Sequence, residues 1–374
     1  MATIILYPVS DISLTHTCSS GSSGYLMIDD PQNNPDDSST TIYKTSSGSE
    51  GDSSNTTSIF KMSGTSPQTN QKVYITALSY RARCYRSNNG TSSAATTKIA
   101  ASINNGSYTE GSSHSLTTSW TNYNASLSPS GLNQTYNSFD AANIRARVYS
   151  SATQGKNGSV SSYVTQVYFT VTYLPYFNFS VGGSVGCASA TVSSADAKEG
   201  DTVTFTATPN SGYRFIGWYS DSSYTTLVTT NTSYQVTASA DTTLYAKALR
   251  VCTVTVHDSD HFTASVSPSS GIEGDVCVAT ATHSTGIASF DGWFSDAART
   301  QRVYPYSTYE ITLASSDIEL WVGSTLRFGL YHKINGQWVL MNKVYRKENG
   351  VWVIKEDPDQ IMSTDVKYID RTQQ

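Results

Sequence analysis

Charge is what this chain has least of. Acidic and basic residues together make up only 14% of its 374 residues, with a net charge of −5 and a pI near 5.7. A nucleic-acid partner calls for a basic face on the domain that meets it, and this balance excludes that class. Long apolar runs are missing too: no stretch approaches the roughly 18 apolar residues that would cross a bilayer as a helix. The opening residues, Met1 to Pro8, contain no basic segment and reach a proline before a signal-peptide core could form. The expectation is a product that stays in the cytosol where it is made. Cysteine is sparse, and Cys18, Cys84, Cys187, Cys252 and Cys277 show no CxxC spacing. They read as reduced thiols in β cores, and no Cys/His cluster has the spacing of a zinc site.

Helix formers are scarce, whereas aromatics reach 11%, with 25 tyrosines. Tyr and Thr favour strands, and Ser, Asn and Gly favour the turns between them. The class is therefore mainly all-β. Residues 1–175 read as a sandwich. In its last strand, Tyr163, Thr165, Val167, Phe169, Val171 and Tyr173 alternate with a more polar set, the period of a half-buried strand. That strand is expected to end at Leu174-Pro175, because proline cannot donate to a continuing ladder. The stretch from Gln32 to Ser58 is polar enough to read as a long loop or extended arm. Trp120 sits on an expected strand as a core anchor.

Two earlier segments share a pattern, Arg81-Ala82-Arg83-Cys84-Tyr85 and Arg145-Ala146-Arg147-Val148-Tyr149. Alternation places the small residues inward and Arg81, Arg83, Arg145 and Arg147 outward. If the two strands pair, the four guanidinium groups form a basic stripe suited to a carboxylate-bearing partner surface. The competing reading is an ordinary solvent face balanced by acidic neighbours.

The second half repeats itself. Glu199-Gly200-Asp201 returns as Glu273-Gly274-Asp275 (273 − 199 = 74), and Gly217-Trp218 returns as Gly292-Trp293 (293 − 218 = 75). Two modules follow, 176–250 and 251–328, with Trp218 and Trp293 read as core anchors and Asp221 as a turn residue. The segment 329–374 carries a shorter repeat: Tyr331 to Trp338 is echoed by Tyr345 to Trp352, each around an Asn-Gly pair. Asn-Gly between alternating apolar residues signals a hairpin, so a β-hairpin meander with a polar tail is expected. Its aromatics, Tyr331, Trp338, Tyr345 and Trp352, are candidates for stacking on sugar rings or for an interface with a neighbouring chain.

The first Gly-Trp module, with Glu199-Gly200-Asp201, Gly212 to Tyr219 and Thr242 to Lys247, resembles the internalin-type (Listeria-Bacteroides) B repeat. The resemblance implies a small β-grasp-like unit strung along bacterial surface proteins and some phage virion proteins. The hairpins resemble the Tyr-x-Lys-x-Asn-Gly-x-Trp repeats at the ends of phage structural proteins. The N-terminal part, with Ile28-Asp29-Asp30 and the strand Val167 to Tyr173, looks like jelly-roll modules of phage tail and capsid accessory proteins.

Chemistry-bearing patterns are thin. Gly182-Gly183-Ser184-Val185-Gly186 spells Gly-x-Ser-x-Gly, but no helical pattern follows to make a nucleophile elbow, and a glycine-rich turn is expected instead. Asp29, Asp30, Asp36 and Asp37 lack calcium-loop spacing. No catalytic, metal or cofactor residue is assigned. The sequence points to a non-enzymatic bacteriophage virion protein, a capsid decoration, head fibre or tail accessory, assembled in the host cytoplasm and exposed on the particle. Its expected partners are other virion proteins, copies of itself and host-surface glycan, with no nucleic acid and no membrane. A bacterial cell-surface adhesin and a glycan-active tail enzyme stand as alternatives.

Overall fold

The computed structural model describes residues 1–33, 35–37, 39–64, 71–87, 93–156, 158–284, 288–326, 331–334, 337–340, 344–348 and 351–355, the last four segments by backbone alone. The expected all-β class holds: among these residues the helices are a 3-10 turn, Tyr25–Met27, and one α turn, Phe139–Ala142. They fall into two compact units. The first holds Met1–Ser180, Val192–Phe205 and Tyr234–Thr243, and the second holds Val181–Thr191, Thr206–Ser233 and Leu244–Gln374.

The first unit contains a two-sheet sandwich. Its strands are β1 (Ala2–Ser13), β2 (Ile42–Ser46), β3 (Ser53–Ser63), β4 (Val73–Arg86), β5 (Ala94–Ser102), β6 (Thr121–Leu127), β7 (Arg145–Thr153) and β8 (Val160–Val185). One sheet pairs β8 with β2 and the start of β1 on one side, and with β4 on the other, followed by β6. The second sheet runs from the end of β1 through β3 and β7 to β5. Strand β1 serves both: Ala2 to Leu6 pair with β8, and Tyr7 to Ser13 pair with β3 across two irregularities that begin at Pro8. Between the sheets lies one apolar core that includes Leu6, Phe60, Ile75, Ile99, Val148 and Phe169.

Two expectations change here. The stretch Gln32–Ser58 is no long arm, because β2 and half of β3 lie within it. Its alternation is written in small polar residues: Thr56 and Ser58 point inward in line with Phe60 and Met62, and all four are buried. Nor does β8 stop at Leu174-Pro175. It runs on to Val185, with Pro175 opposite Val73 at the start of β4 and its carbonyl accepting from the Glu199 N–H at 2.8 Å.

The repeat in the sequence is a repeat of strands. In the first copy these are β9 (Cys187–Val192), β10 (Thr202–Pro209), β11 (Tyr213–Tyr219), β12 (Ser233–Thr237) and β13 (Thr242–Arg250). The second has β14 (Cys252–His257), β15 (Phe262–Ser267), β16 (Val276–His283), β17 (Ala288–Phe294), β18 (Thr308–Thr312) and β19 (Ile318–Leu326). Strand starts keep the offset: 276 − 202 = 74, 288 − 213 = 75 and 308 − 233 = 75. The second copy folds as two sheets, with β14 and β19 running parallel in one and β15, β16 and β18 forming the other. Trp293 closes its core beside Phe262, Cys277 and Leu320, and both Trp218 and Trp293 are 0% exposed.

Gly217 and Gly292 do not make turns beside these tryptophans. They sit in bulges inside β11 and β17, with φ of +156° and +132°. A Cβ on Gly217 would stand 2.2 Å from Leu227 Cδ1 and 2.9 Å from the Thr229 carbonyl oxygen. The glycine is needed for close approach as much as for its φ. Gly182 to Val185 likewise belong to β8, so within the Gly-x-Ser-x-Gly run only Gly186, with φ of +69°, bends the chain. The C-terminal pairs Tyr331–Ile334 with Gln337–Leu340, and Val344–Glu348 with Val351–Lys355, are antiparallel hairpins, each a separate two-stranded sheet.

Candidate functional site

Three tyrosines stand in one cross-strand row on the outer face of the first sandwich sheet. Tyr163 on β8 lies directly opposite Tyr43 on β2 and, on its other side, opposite Tyr85 on β4. A bulge puts it there. Val164 pairs with Cys84 and Gln166 with Arg83, which leaves Thr165 as one extra residue. An extra residue inverts the alternation: Val164 faces the core before the bulge, and Val167, Phe169, Val171 and Tyr173 face it afterwards. Tyr163 is thereby turned outward, against its placement by simple period two among the inward residues. Thr165 is itself buried, its hydroxyl donating to the Thr40 carbonyl at 2.9 Å.

The rings follow the ladder. Tyr85 stacks on Tyr163 at 4.7 Å with 17° between planes, and Tyr43 lies 5.2 Å from Tyr163 at 30°. Trp120, immediately before β6, meets Tyr85 at 4.3 Å with its plane turned by 52°. All four are half-buried. Trp120 is thus no core anchor; it ends a surface row. Each such pair contributes about 0.5–1.5 kcal/mol beyond burial. Burial first, and Tyr163 next, push the Tyr85 hydroxyl above the usual tyrosine range, so it stays protonated as a donor. The rings repeat at about the strand spacing of roughly 4.8 Å, and the tilted Trp120 ends the row.

The four arginines do not form a stripe. Arg81 and Arg83 belong to β4 in one sheet, and Arg145 and Arg147 belong to β7 in the other, so their strands do not pair. The inward placement of Ala82, Cys84, Ala146 and Val148 does hold, each at 1% exposure or less. Each arginine has a local partner. Arg83 forms a two-point ion pair with Asp37, its second contact at 2.6 Å, and this hydrogen bonding raises its pKa. Arg81 donates to the Tyr168 hydroxyl at 3.3 Å, and Arg145 to Asn143 Oδ1 at 3.4 Å. Arg147 reaches Glu110 at 2.6 Å, with its guanidinium 4.6 Å from the centre of the Tyr108 ring. The shared patterns Arg-Ala-Arg record only that both strands alternate; they say nothing about which strand lies beside which.

The acidic residues of 29–37 are tied to the protein. Asp30 accepts from the Asp36 N–H at 3.0 Å, and Asp36 accepts from the Thr40 hydroxyl at 2.7 Å. Burial raises the carboxyl pKa of Asp29 and of Asp30. Among the described residues no group of three His, Cys, Asp or Glu side chains is placed to hold a metal ion. An open depression of about 470 Å³ near Lys72 and Tyr176 offers little recognition chemistry, since Lys72 is paired with Asp196 at 2.7 Å and Lys198 with Asp201. In the hairpins, Trp338 lies opposite Lys333, Trp352 opposite Lys347, Tyr331 opposite Leu340 and Tyr345 opposite Ile354. The side chains of those four aromatics lie outside the described residues.

Comparison with known proteins adds one family. The divergent InlB B-repeat domain matches residues 180–247, most of the first Gly-Trp copy. The second copy is tied to it by the strand spacing above. No curated protein matches the chain. Among solved structures, the chain is similar to one described as TmCBM61 in complex with beta-1,4-galactotriose, at 10% identity and a TM-score of 0.17, over 34% of this chain and 86% of that one.

Proposed function

We propose that this chain is a non-enzymatic structural protein of a bacteriophage virion that displays binding modules, and that its sandwich takes host-surface carbohydrate along Tyr43, Tyr163, Tyr85 and Trp120. The cross-strand register of those rings carries the binding part. A glycan lying across the strands meets one phenol edge per strand, then the turned indole. An amphipathic ring offers an apolar body for sugar C–H groups and a hydroxyl for sugar oxygens. The B-repeat match supports a modular display protein. The virion setting rests on the resemblance of the Asn-Gly hairpins and of the sandwich to phage structural modules. Single contacts of this kind are weak, and many copies on one particle raise avidity by roughly 10²–10⁴.

Titration of the full-length protein with a panel of galactose, glucose, mannose and N-acetylglucosamine oligosaccharides tests the row. Trp120→Ala and Tyr43→Ala are expected to weaken binding about tenfold each while far-UV circular dichroism stays unchanged. Equal affinity in wild type and both variants would remove the row from the mechanism. The virion setting is tested separately by gold-labelled antibody on purified particles, and particles without label would overturn it.

A further inference from the structure

We infer that the second repeat copy carries a carbohydrate site of its own, built on Tyr304, Tyr306 and Tyr309. Tyr304 and Tyr309 stack at 4.3 Å with 11° between their planes, and Tyr306 stands 5.8 Å from Tyr304, turned by 72°. Two half-buried parallel rings therefore support a third that is 69% exposed. Pro305 lies between Tyr304 and Tyr306 and restricts the backbone that presents them.

The internal repeat shows that the module does not need this cluster to fold. At the constant offset of 75 (304 − 229, 306 − 231, 309 − 234), the first copy has Thr229, Asn231 and Tyr234. The strands match: Leu227–Thr229 and Arg302–Tyr304 are equivalent edge strands, and β12 corresponds to β18. Both copies bury their tryptophan completely. Tyr304 and Tyr309 pack against the second core, so the added ring with no part in the core is Tyr306, held in water.

The surroundings select a sugar over a protein surface. Arg302, Thr308 and Glu310, each within two residues of a ring in sequence, are exposed, and Val303, 44% exposed, is the apolar neighbour on the same short strand. Protein docking patches are broader and apolar at their centre. An isolated exposed ring with phenol hydroxyls and charged groups close by matches a pyranose, which has one apolar face and a rim of hydroxyls. This site does not rest on the sandwich reading, since it shares no residue with that row.

The test uses the full-length Trp120→Ala protein, in which the sandwich row is already weakened. Saturation-transfer NMR and calorimetry with the same oligosaccharide panel are expected to show residual binding that Tyr306→Ser lowers about tenfold. Asn231→Ser, at the equivalent place in the first copy, is expected to change nothing. An unchanged urea-unfolding midpoint verifies that the second copy stays folded. Residual binding insensitive to Tyr306→Ser, or no residual binding to any sugar of the panel, overturns the proposal. Concentration-dependent self-association in sedimentation that Tyr306→Ser abolishes would also overturn it, in favour of a contact between copies. Any of these outcomes leaves the comparison of wild type with Trp120→Ala to decide the sandwich row independently.

Discussion

His16 shows how a polar residue is accommodated in a β core. Its ring is buried, and Ser58 Oγ accepts from the backbone N–H groups of Thr15 and His16 at 3.0 and 3.2 Å. The Ser58 hydroxyl proton is then directed at His16 Nδ1, 2.8 Å away, which leaves Nε2 protonated and without a partner among the described residues. Burial, with Lys44 adding repulsion, lowers the His16 pKa to about 3. The unfolded chain takes up a proton near pH 6.5 while the folded one does not, so stability falls as pH drops below 6.5. Between pH 7.5 and 5.5 the loss is about 1.4 kcal/mol, readable in denaturant midpoints, and His16→Gln should flatten that slope. The core tryptophans differ at one atom. Trp218 Nε1–H donates to the Thr232 carbonyl at 3.4 Å, whereas Trp293 Nε1 has no partner among the described residues. Trp218→Phe is therefore expected to cost about 1 kcal/mol more than Trp293→Phe in urea unfolding.

At the scale of the element, three bulges decide what the strands present. The one at Thr165 turns Tyr163 into the aromatic row, and the ones before Gly217 and Gly292 let edge strands approach β11 and β17 closely. Gly217→Ala places a Cβ against Leu227 and the Thr229 carbonyl, with expected destabilisation of about 2 kcal/mol or more. If thermal melting of that variant matches wild type, the close approach is not needed. The turn that follows β11 was legible: Asp221 accepts from the N–H groups of Ser223, Thr225 and Thr226 at 2.7–3.2 Å, which holds its pKa at about 2. Asp296 does the same for Thr300 and Gln301. The bulges themselves were not legible, because an extra residue has no composition signature when Thr, Val and Gln surround it.

For the whole molecule, the two apolar clusters are the useful division. The sandwich cluster and the cluster around Trp293 share no residue. Trp293→Ala, a large cavity in the second, is expected to cost about 3–5 kcal/mol there. Calorimetry should show one transition moved down and the sandwich transition in place; a single transition moving as a whole would contradict independent cores. The two repeat copies also exchange exposed ion pairs within the second unit, Arg214 with Asp275 at 2.8 Å and Arg250 with Asp317 at 2.5 Å. Such pairs are screened by salt and contribute little, so Arg250→Ala should leave melting nearly unchanged.

The amino-acid sequence by itself determined the β class, the tandem copies, the buried tryptophans and the Asp221 turn. Each depends on neighbours a few residues away or on direct repetition along the chain. Tertiary structure alone decided that the arginine strands lie in different sheets, that β8 passes through Pro175, and that Tyr43, Tyr163, Tyr85 and Trp120 meet. Period-two alternation says that neighbouring side chains face opposite ways, but it does not say which way is in. A single bulge reverses that choice, and strand partners are selected by packing between residues more than a hundred positions apart, such as Tyr43 and Tyr163.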